Sequence, residues 1–276
     1  MSTMRFLIAA GGSQHSQRAV RTGIALATAV DAEVVILWVA SAGKERTAAS
    51  VWHAAGVEYA DVTIPLRARI RSGPVAQEIL AELRAAHYDL LILGERRPHR
   101  LLTRVLGSVV DKVAGHAPCS VLVVRGPATR FARVLICDSG GPAPSVVDMW
   151  LARGLTRLAT PAASITLLHV MSQISAGPGV DNADLVAEAV DIIDRGAREG
   201  QILAHDLHAL TGYAFNVRPC LRHGFVVDEI VAEAQADDAD LVVIGAHRSQ
   251  GLQGRLIADL AKEIMARVAR PVLIVR

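Results

Sequence analysis

The sequence predicts an α/β protein that contains two copies of one parallel-sheet domain. The first observation is a repeat, in which Asp89-Leu-Leu-Ile-Leu-Gly94 returns as Asp240-Leu-Val-Val-Ile-Gly245. Repeated blocks of this kind indicate duplicated structural units. The second observation is that short β-rich apolar runs alternate with helical patterns, which is typical of βα units. The third is that Leu90–Leu93 contains no polar residue, which favours a strand covered on both faces, as in a parallel sheet.

In the first copy, apolar runs predict five strands in chain order. They lie near Arg5–Ala10, Glu33–Val39, Asp61–Ile70, Asp89–Gly94 and Ser120–Arg125. Apolar positions at helical spacing predict helices over Ser16–Ala29, Val75–Ala86 and Ser108–Gly115. The segment Ser41–Tyr59 has a weaker pattern, and we expect a loop with a short helix there.

The second copy repeats these elements and carries one insertion. Its strands are predicted near Val134–Asp138, Ser164–Met171, Ala214–Cys220, Asp240–Gly245 and Val272–Arg276. Matching residues are 128 positions apart at Arg5 and Arg133 but 151 apart at Arg125 and Arg276, so the second copy is longer. Apolar residues at helical spacing predict that the added residues belong to one long helix, Asp184–Leu210.

Length and composition favour two globular domains. The repeat divides the 276 residues into domains at 1–127 and 128–276, and 51% hydrophobic with 20% charged residues indicates a folded chain. A net charge of +2 gives no reason to expect nucleic acid or an anionic membrane as a partner. No apolar run approaches the roughly 20 residues of a membrane span. The three cysteines lack the spacing of a metal site or a disulfide framework, so we expect a cytoplasmic protein.

The best candidate for a binding site begins where the fourth strand ends. Gly94 is followed by Arg96 and Arg97, and Gly107-Ser108 opens the next helix. Glycines permit close backbone approach, and the free N–H groups at a helix start suit a phosphate. The serine hydroxyl can cap the helix or donate to a phosphate oxygen, and the arginines add positive charge. Without further context, these residues are better explained as a turn and a helix cap.

The spacing of these residues resembles that of the universal stress protein family in its tandem form. That family has the pattern Gly-x2-Gly-x9-Gly-[Ser/Thr] and a tail similar to His-Ala-Pro-Cys-Pro-Val-Leu-Val-Val. The first copy reads Gly94-x2-Arg97-x9-Gly107-Ser108, and its tail reads His116-Ala-Pro-Cys-Ser-Val-Leu-Val-Val124. The resemblance extends over nearly the whole chain.

The resemblance implies flavodoxin-like domains, also described as adenine nucleotide alpha hydrolase-like, with strand order 3-2-1-4-5. It also implies that many members bind ATP or AMP, with Mg only alongside the nucleotide. Carried over by motif, the candidate binding residues are Gly11, Gly12, Ser13, Val39, Gly94, Arg96, Arg97, Gly107, Ser108 and Val109. Because single-domain relatives pair through their last strands, the strands ending at Arg125 and Arg276 are expected to pair as an intramolecular pseudo-dimer. A homodimer of whole chains is a further option.

Two departures from the family pattern weaken the site in the first copy. Nucleotide-binding members have an aspartate after the first strand that contacts the adenosine, and this chain has Gly11 there. The second glycine of the loop is replaced by Arg97, whose side chain would fill the space beside the ribose-phosphate.

More departures occur in the second copy, where the pattern reads Gly245-x2-Arg248-x9-Ala258-Asp259 and Ser139 follows the first strand. Ala258 adds a Cβ where close approach is needed. An Asp259 carboxylate at a helix start would cap that helix itself and repel phosphate. We therefore expect nucleotide binding in the N-terminal domain only.

The resemblance implies a stress-response sensor or regulatory protein. A slow ATPase activity fits the pattern, although no catalytic residue can be named. One alternative is a nucleotide-independent scaffold that acts through its surface. Another is an enzyme of the ATP-pyrophosphatase type, because Ser139-Gly-Gly141 resembles the pyrophosphate loop of that class, but the Asp-Ser end of the loop is absent. His205 and His208 form either half of a metal site or, more simply, a solvated helix face.

Overall fold

The repeat seen in the sequence corresponds to two units in the computed structural model of the chain. The structure describes residues 3–40, 47–57, 62–95, 108–125, 130–140, 144–171, 189–246 and 252–276, without the side chains of 108 and 252–258. The first unit comprises residues 1–130 together with 265–274 and 276, and the second comprises residues 131–264 and 275. The predicted boundary between residues 127 and 128 lies outside the described residues.

Five parallel strands form the sheet of the first unit, in the order β3-β2-β1-β4-β5. They are β1 (Arg5–Ala10), β2 (Glu33–Ala40), β3 (Leu66–Ser72), β4 (Leu90–Gly94) and β5 (Ser120–Val124). The helices between them are α1 (Gln14–Val30), α2 (Ala48–Ala55), α3 (Val75–Ala85) and α4 (Ser108–His116). Phe6, Leu7 and Ile8 of β1 are all fully buried, so the central strand is covered on both faces. The predicted order 3-2-1-4-5 is confirmed.

In the second unit the parallel order is β9-β6-β7-β8, which repeats 3-2-1-4 for its first four strands. These strands are β6 (Phe131–Cys137), β7 (Ala159–Met171), β8 (Asn216–His223) and β9 (Leu241–Gly245). The helices of this copy are α5 (Val146–Ala152), α6 (Ala189–Asp194), α7 (Arg198–Leu210), α8 (Val226–Ala236) and α9 (Leu252–Arg267), with a 3-10 turn at Leu155–Leu158. The α/β class and the flavodoxin-like architecture are therefore confirmed.

The strand β10 (Val272–Val275) belongs to the first unit as far as Ile274. It pairs antiparallel with β5 and covers the outer edge of that strand. The Arg125 side chain is buried beside it, and its guanidinium donates to the backbone carbonyls of Met265 and Arg270. These hydrogen bonds fasten residues 265–274 to the first unit.

The prediction of one long helix over Asp184–Leu210 is wrong. Residues 184–188 lie outside the described part, and the remainder forms the two helices α6 and α7. Gly196 between them has a φ of +66°, a left-handed conformation that interrupts a helix and that glycine adopts without strain. At Gly200 a Cβ would lie 2.2 Å from the carbonyl oxygen of Ile192, so glycine lets α7 pack closely on α6.

Each unit contains an ion-pair cluster between its outermost strand and the helix that follows. In the first unit the buried Glu82 accepts from the Arg71 Nε and from the Tyr88 hydroxyl, each at 2.8 Å. In the second unit the matching buried residue, Glu233, accepts from Arg218 at 2.8 Å and from Arg222 at 2.5 Å. The two copies thus share one donor, since Arg222 matches Arg71, and differ in the other, which is Tyr88 in the first unit and Arg218 in the second.

Two further sequence expectations can be compared with the described residues. Cys119, Cys137 and Cys220 are all free, in agreement with their spacing. Among the helices that the structure describes, none combines the length and apolar character that crossing a bilayer would need.

Candidate functional site at the carboxyl edge of the sheet

The loop between β1 and α1 contains three of the predicted binding residues. Ser13 caps α1, because its hydroxyl accepts from the Ser16 N–H at 3.3 Å. The Gly11 N–H donates to the Ser16 hydroxyl at 2.7 Å. Gly12 has a φ of +73°, and a Cβ there would come within 3.0 Å of the Trp38 ring. Glycine is thus required at position 12 by the turn and by the ring beneath it.

Gly94 is explained by packing. A Cβ at this position would lie 2.2 Å from the carbonyl oxygen of His15 and 3.0 Å from the backbone nitrogen of Ser16. The end of β4 therefore touches the first turn of α1 backbone to backbone. This contact brings Gly94 to the same edge as Gly11 and Ser13, as the sequence predicts.

The other predicted residues are only partly connected to this edge. Val39 is half-buried near the end of β2, directly after the tryptophan under Gly12. Ser108 and Val109 open α4, and Val109 is half-buried. Arg96, Arg97 and Gly107 lie outside the described residues. The structure therefore brings together those predicted residues that belong to the β1–α1 loop and to the end of β4.

The described part of this edge favours an anion on the β1–α1 side. Residues 11–13 are exposed and carry no charge, and the first turn of α1 contains no acidic residue. The unpaired N–H groups of a helix start attract negative charge. On the opposite side, Asp111 lies in the first turn of α4. Negative charge is therefore absent from the described start of α1 and present at the start of α4.

The corresponding edge of the second unit is acidic, and its central residue was missed in the sequence. Asp138 follows β6 and is buried, and its carboxylate accepts from the N–H groups of Gly140 at 2.6 Å and Val146 at 2.8 Å. The position that matches it in the first copy is Ala10. Sequence reasoning considered only Ser139, which is exposed, although an aspartate ending a buried strand was a visible signal.

A capping box at the start of α5 adds a second carboxylate. The Ser145 hydroxyl accepts from the Asp148 N–H, and the Asp148 carboxylate accepts from the Ser145 N–H, both at 3.0 Å. His205 on α7 places its Nε2 3.1 Å from the same carboxylate. Burial raises the pKa of Asp148, but the Ser145 N–H and His205 outweigh it and hold that pKa below its usual value. The hydrogen bond with Asp148 raises the pKa of His205.

A third carboxylate, Asp206 on α7, is fully buried. Neither of its oxygens has a hydrogen-bond partner among the described residues. Burial, followed by the charge of Asp138, raises the pKa of Asp206 to about 7. The Ser145 hydroxyl is close enough to favour the ionised form of Asp206. It makes no hydrogen bond to either Asp206 oxygen, so Asp206 has no partner among the described residues.

The remaining predictions for the second copy are partly corrected. Gly245 is also closely packed, but against a side chain, since a Cβ would lie 2.9 Å from Cγ2 of Val146. The expectation that Ala258-Asp259 opens a helix is wrong, because α9 begins at Leu252 and its first turn has no acidic residue. Asp259 is an exposed residue in the interior of this helix, and Arg248 lies outside the described residues.

The histidine pair predicted as a possible half metal site has another explanation. His205 is engaged by Asp148, as described above. In the part of the chain that the structure describes, no group of three or more His, Cys, Asp or Glu side chains is arranged to hold a metal ion.

Comparison with known proteins agrees with the duplicated fold. A sequence model described as "Universal stress protein family" matches twice, at residues 3–125 and 130–276. A structure from Pseudomonas aeruginosa UCBPP-PA14, solved as a candidate universal stress protein, is 18% identical with a TM-score of 0.72 and covers 99% of this chain and 93% of that one. A universal stress protein from Archaeoglobus fulgidus DSM 4304 is 14% identical with a TM-score of 0.69 and covers 100% of this chain and 99% of that one. At these identities, the structural likeness concerns the fold.

Proposed function

Because the chain belongs to the universal stress protein family, we propose that it is a cytoplasmic stress-response regulator that binds ATP or AMP in its first copy only. The observation that supports this restriction is the contrast in charge between the two sheet edges. The β1–α1 loop of the first copy is exposed and uncharged. The matching edge of the second copy contains Asp138, Asp148 and Asp206.

The first-copy edge has room for the ligand contacts that the family pattern supplies. No heavy atom of the described residues lies within 4 Å of a Cβ built on Gly11, and its φ lies outside the left-handed range. A side chain at position 11 can therefore project from the loop without displacing the protein. Nucleotide binding here then depends on the α1 N–H groups, on Ser13 and on residues of the 94–109 loop.

In the second copy, phosphate binding would be opposed by charge. Asp138 and Asp148 already occupy the N–H groups at the start of α5, which a phosphate would otherwise use. A further anionic group would be repelled by these carboxylates. We therefore assign no nucleotide to this copy.

We also propose that the two copies replace the pair formed by two single-domain relatives. The antiparallel register of β5 with β10 inside the first unit supports this assignment. A homodimer of whole chains would be recognised by its mass in solution.

Isothermal titration calorimetry with ATP, ADP and AMP tests the proposed site. We expect one nucleotide per chain. Gly11→Asp and Arg97→Gly should each raise the affinity, because they restore the family pattern, whereas Gly107→Asp should abolish binding. Ser139→Ala, at the exposed matching loop of the second copy, is the control and should leave affinity unchanged.

Absence of heat at millimolar nucleotide, in both the natural chain and the Gly11→Asp variant, would rule out the regulator that binds nucleotide and favour the nucleotide-independent scaffold. A stoichiometry of two, or binding that survives Gly107→Asp, would contradict the assignment to the first copy.

A further inference from the structure

Asp206 differs from the other buried acids of the chain. Glu82 and Glu233 are paired with arginines, and Asp138 accepts two backbone N–H groups. Asp206 is 0% exposed, and neither of its oxygens has a hydrogen-bond partner among the described residues. An ionised carboxylate in such a place is costly, because it loses water without gaining a cation or a donor.

The groups that face Asp206 make its ionised form less favourable still. The nearby charges of Asp138 at the end of β6 and Asp148 on α5 disfavour it. They act against the opposite effects of Ser145 and of His205, the neighbour of Asp206 on α7, each of which is smaller than that of Asp138. Other elements packed against α7 carry further charged or titratable groups: His169 on β7, Arg218, Arg222 and His223 on β8, and Asp191 and Asp194 on α6. Among the described residues none of these pairs with Asp206, and the two arginines are engaged by Glu233.

Protonation of Asp206 removes the unfavourable buried charge. Protonation removes the repulsion with Asp138 and converts one Asp206 oxygen into a hydrogen-bond donor. The helix that bears Asp206 lies directly on the β6–α5 loop, since a Cβ on Gly140 of that loop would meet Ile202 of α7 at 2.2 Å. The Asp206 carboxyl can therefore become hydrated only if α7 moves away from this loop.

We propose that Asp206 is a proton-dependent latch that holds α7 against Asp138–Gly140, the described start of the β6–α5 loop in the second copy. With a proton on Asp206 the helix is seated, and ionisation loosens it. The latch is independent of nucleotide binding in the first copy. Its function would be to make the position of α7 depend on pH. This helix lies at the sheet edge of the second copy, where the sequence departs from the nucleotide-binding pattern.

The sign of the pH effect follows from the direction of the shift. Since the pKa of Asp206 is raised to about 7 in the folded chain, from about 3.9 when unfolded, the folded state binds the proton more tightly. The stabilisation is complete below the unfolded pKa, is lost as the pH rises between these two values, and changes no further above about 7. The pair of His205 with Asp148 has the same sign at higher pH, but its 58% exposed histidine makes a small contribution.

Hydrogen exchange of α7 amides between pH 5 and pH 8.5, corrected for the intrinsic rate, tests the latch in the full chain. The opening constant of α7 should rise by up to about tenfold per pH unit below neutrality, while α8 stays unchanged. Asp206→Asn should abolish this dependence, and Asp194→Asn, on the exposed face of α6, should retain it. Equal pH dependence in α7 and α8, or in the natural chain and Asp206→Asn, would refute the latch.

Carboxyl ¹³C NMR of the natural chain keeps the test decisive if Asp206→Asn does not fold. A carboxyl that titrates near neutral pH is expected, and Asp138→Asn should move it to lower pH by removing the facing charge. Titration of every aspartate below pH 5 would refute the proposal.

Discussion

Gly94 and Gly245 occupy matching positions in the two copies, yet their surroundings differ. The first faces the backbone of His15, whereas the second faces the end of the Val146 side chain. A backbone oxygen 2.2 Å away cannot be cleared without shifting β4 or α1, whereas the Val146 methyl group lies 2.9 Å away and needs a smaller displacement. The same glycine in a sequence motif is thus constrained to different degrees by its own packing, before any ligand is considered.

Gly94→Ala should destabilise the chain by about 1–3 kcal/mol, the usual cost of overpacking. Gly245→Ala should cost less, because Val146 can yield. Gly115→Ala is the control, since no described residue outside its own helix turn lies within 4 Å of its Cβ, and it should be neutral or stabilising by up to about 1 kcal/mol. Urea denaturation of the three variants measures this order, and equal losses at 94 and 245 would contradict it.

The outermost strand of each unit is tied to the next helix by a buried glutamate. Burial raises the pKa of Glu82, but hydrogen bonds from Tyr88 and Arg71 outweigh it and hold that pKa below its usual value. Burial and the hydrogen bond to Glu82 raise the pKa of Tyr88 to about 12. In the second unit Ala239 stands where Tyr88 would be, and Arg218 supplies the donor.

Tyr88→Phe should destabilise the chain by about 1–3 kcal/mol, because it leaves a buried carboxylate oxygen without its donor. The loss should shrink toward acid pH. Since the folded pKa of Glu82 is depressed, its stabilisation is present above the unfolded pKa and disappears as the pH falls. The Tyr88 hydroxyl contributes to that stabilisation only while Glu82 is ionised, so the natural chain should lose more stability in acid than the variant does. Urea titrations at several pH values measure this, with the exposed Tyr213→Phe as the control. An identical acid limb in both variants would contradict it.

Sequence periodicity was sufficient for most elements and insufficient for one. Strands such as β4 and β5 are predicted because they are continuous apolar runs, and burial on both faces demands that composition. Periodicity predicted one helix over residues 184–210 where the structure has α6 and α7. One left-handed glycine does not disturb the apolar spacing around it, so the interruption leaves no sign in the pattern.

The residues of the candidate sites could also be predicted only in part from the sequence. Gly11, Gly12, Ser13 and Gly94 were predicted because they match positions of the family motif, and they lie together because strands of a parallel sheet end at one edge. Asp206 is absent from the sequence-based site because its burial depends on contacts between α7 and the β6–α5 loop, which are distant in sequence. Long-range packing of this kind leaves no local pattern.

At the level of the whole molecule, the two units are not divided by a single point in the chain. Residues 265–274 and 276 belong to the first unit although they follow the second in sequence. Arg125 secures them by donating to two backbone carbonyls, and burial lowers its pKa to about 10. A guanidinium can reach both acceptors because its donors are arranged in a rigid fork.

Arg125→Met should keep the apolar packing but leave the carbonyls of Met265 and Arg270 without this donor, at a cost of about 1–3 kcal/mol each if no water replaces it. Arg133→Met is the control, because its ion pair with Asp238 is exposed and should contribute less than about 1 kcal/mol. Urea denaturation compares the two. A loss in Arg125→Met no greater than that in Arg133→Met would show that the buried guanidinium does not fasten β10.

The position of β10 has a consequence for the synthesis of the chain. At about 5–20 residues per second, ribosomes make residues 131–274 over roughly 7–30 s after residue 130 has been added. During this interval β5, with its buried Val121, Leu122 and Val123, is the open edge of the first sheet. Open apolar edges recruit other strands, so nascent chains on neighbouring ribosomes would compete for the place that β10 later takes. Conditions that slow elongation through the second copy should therefore increase aggregation of the first.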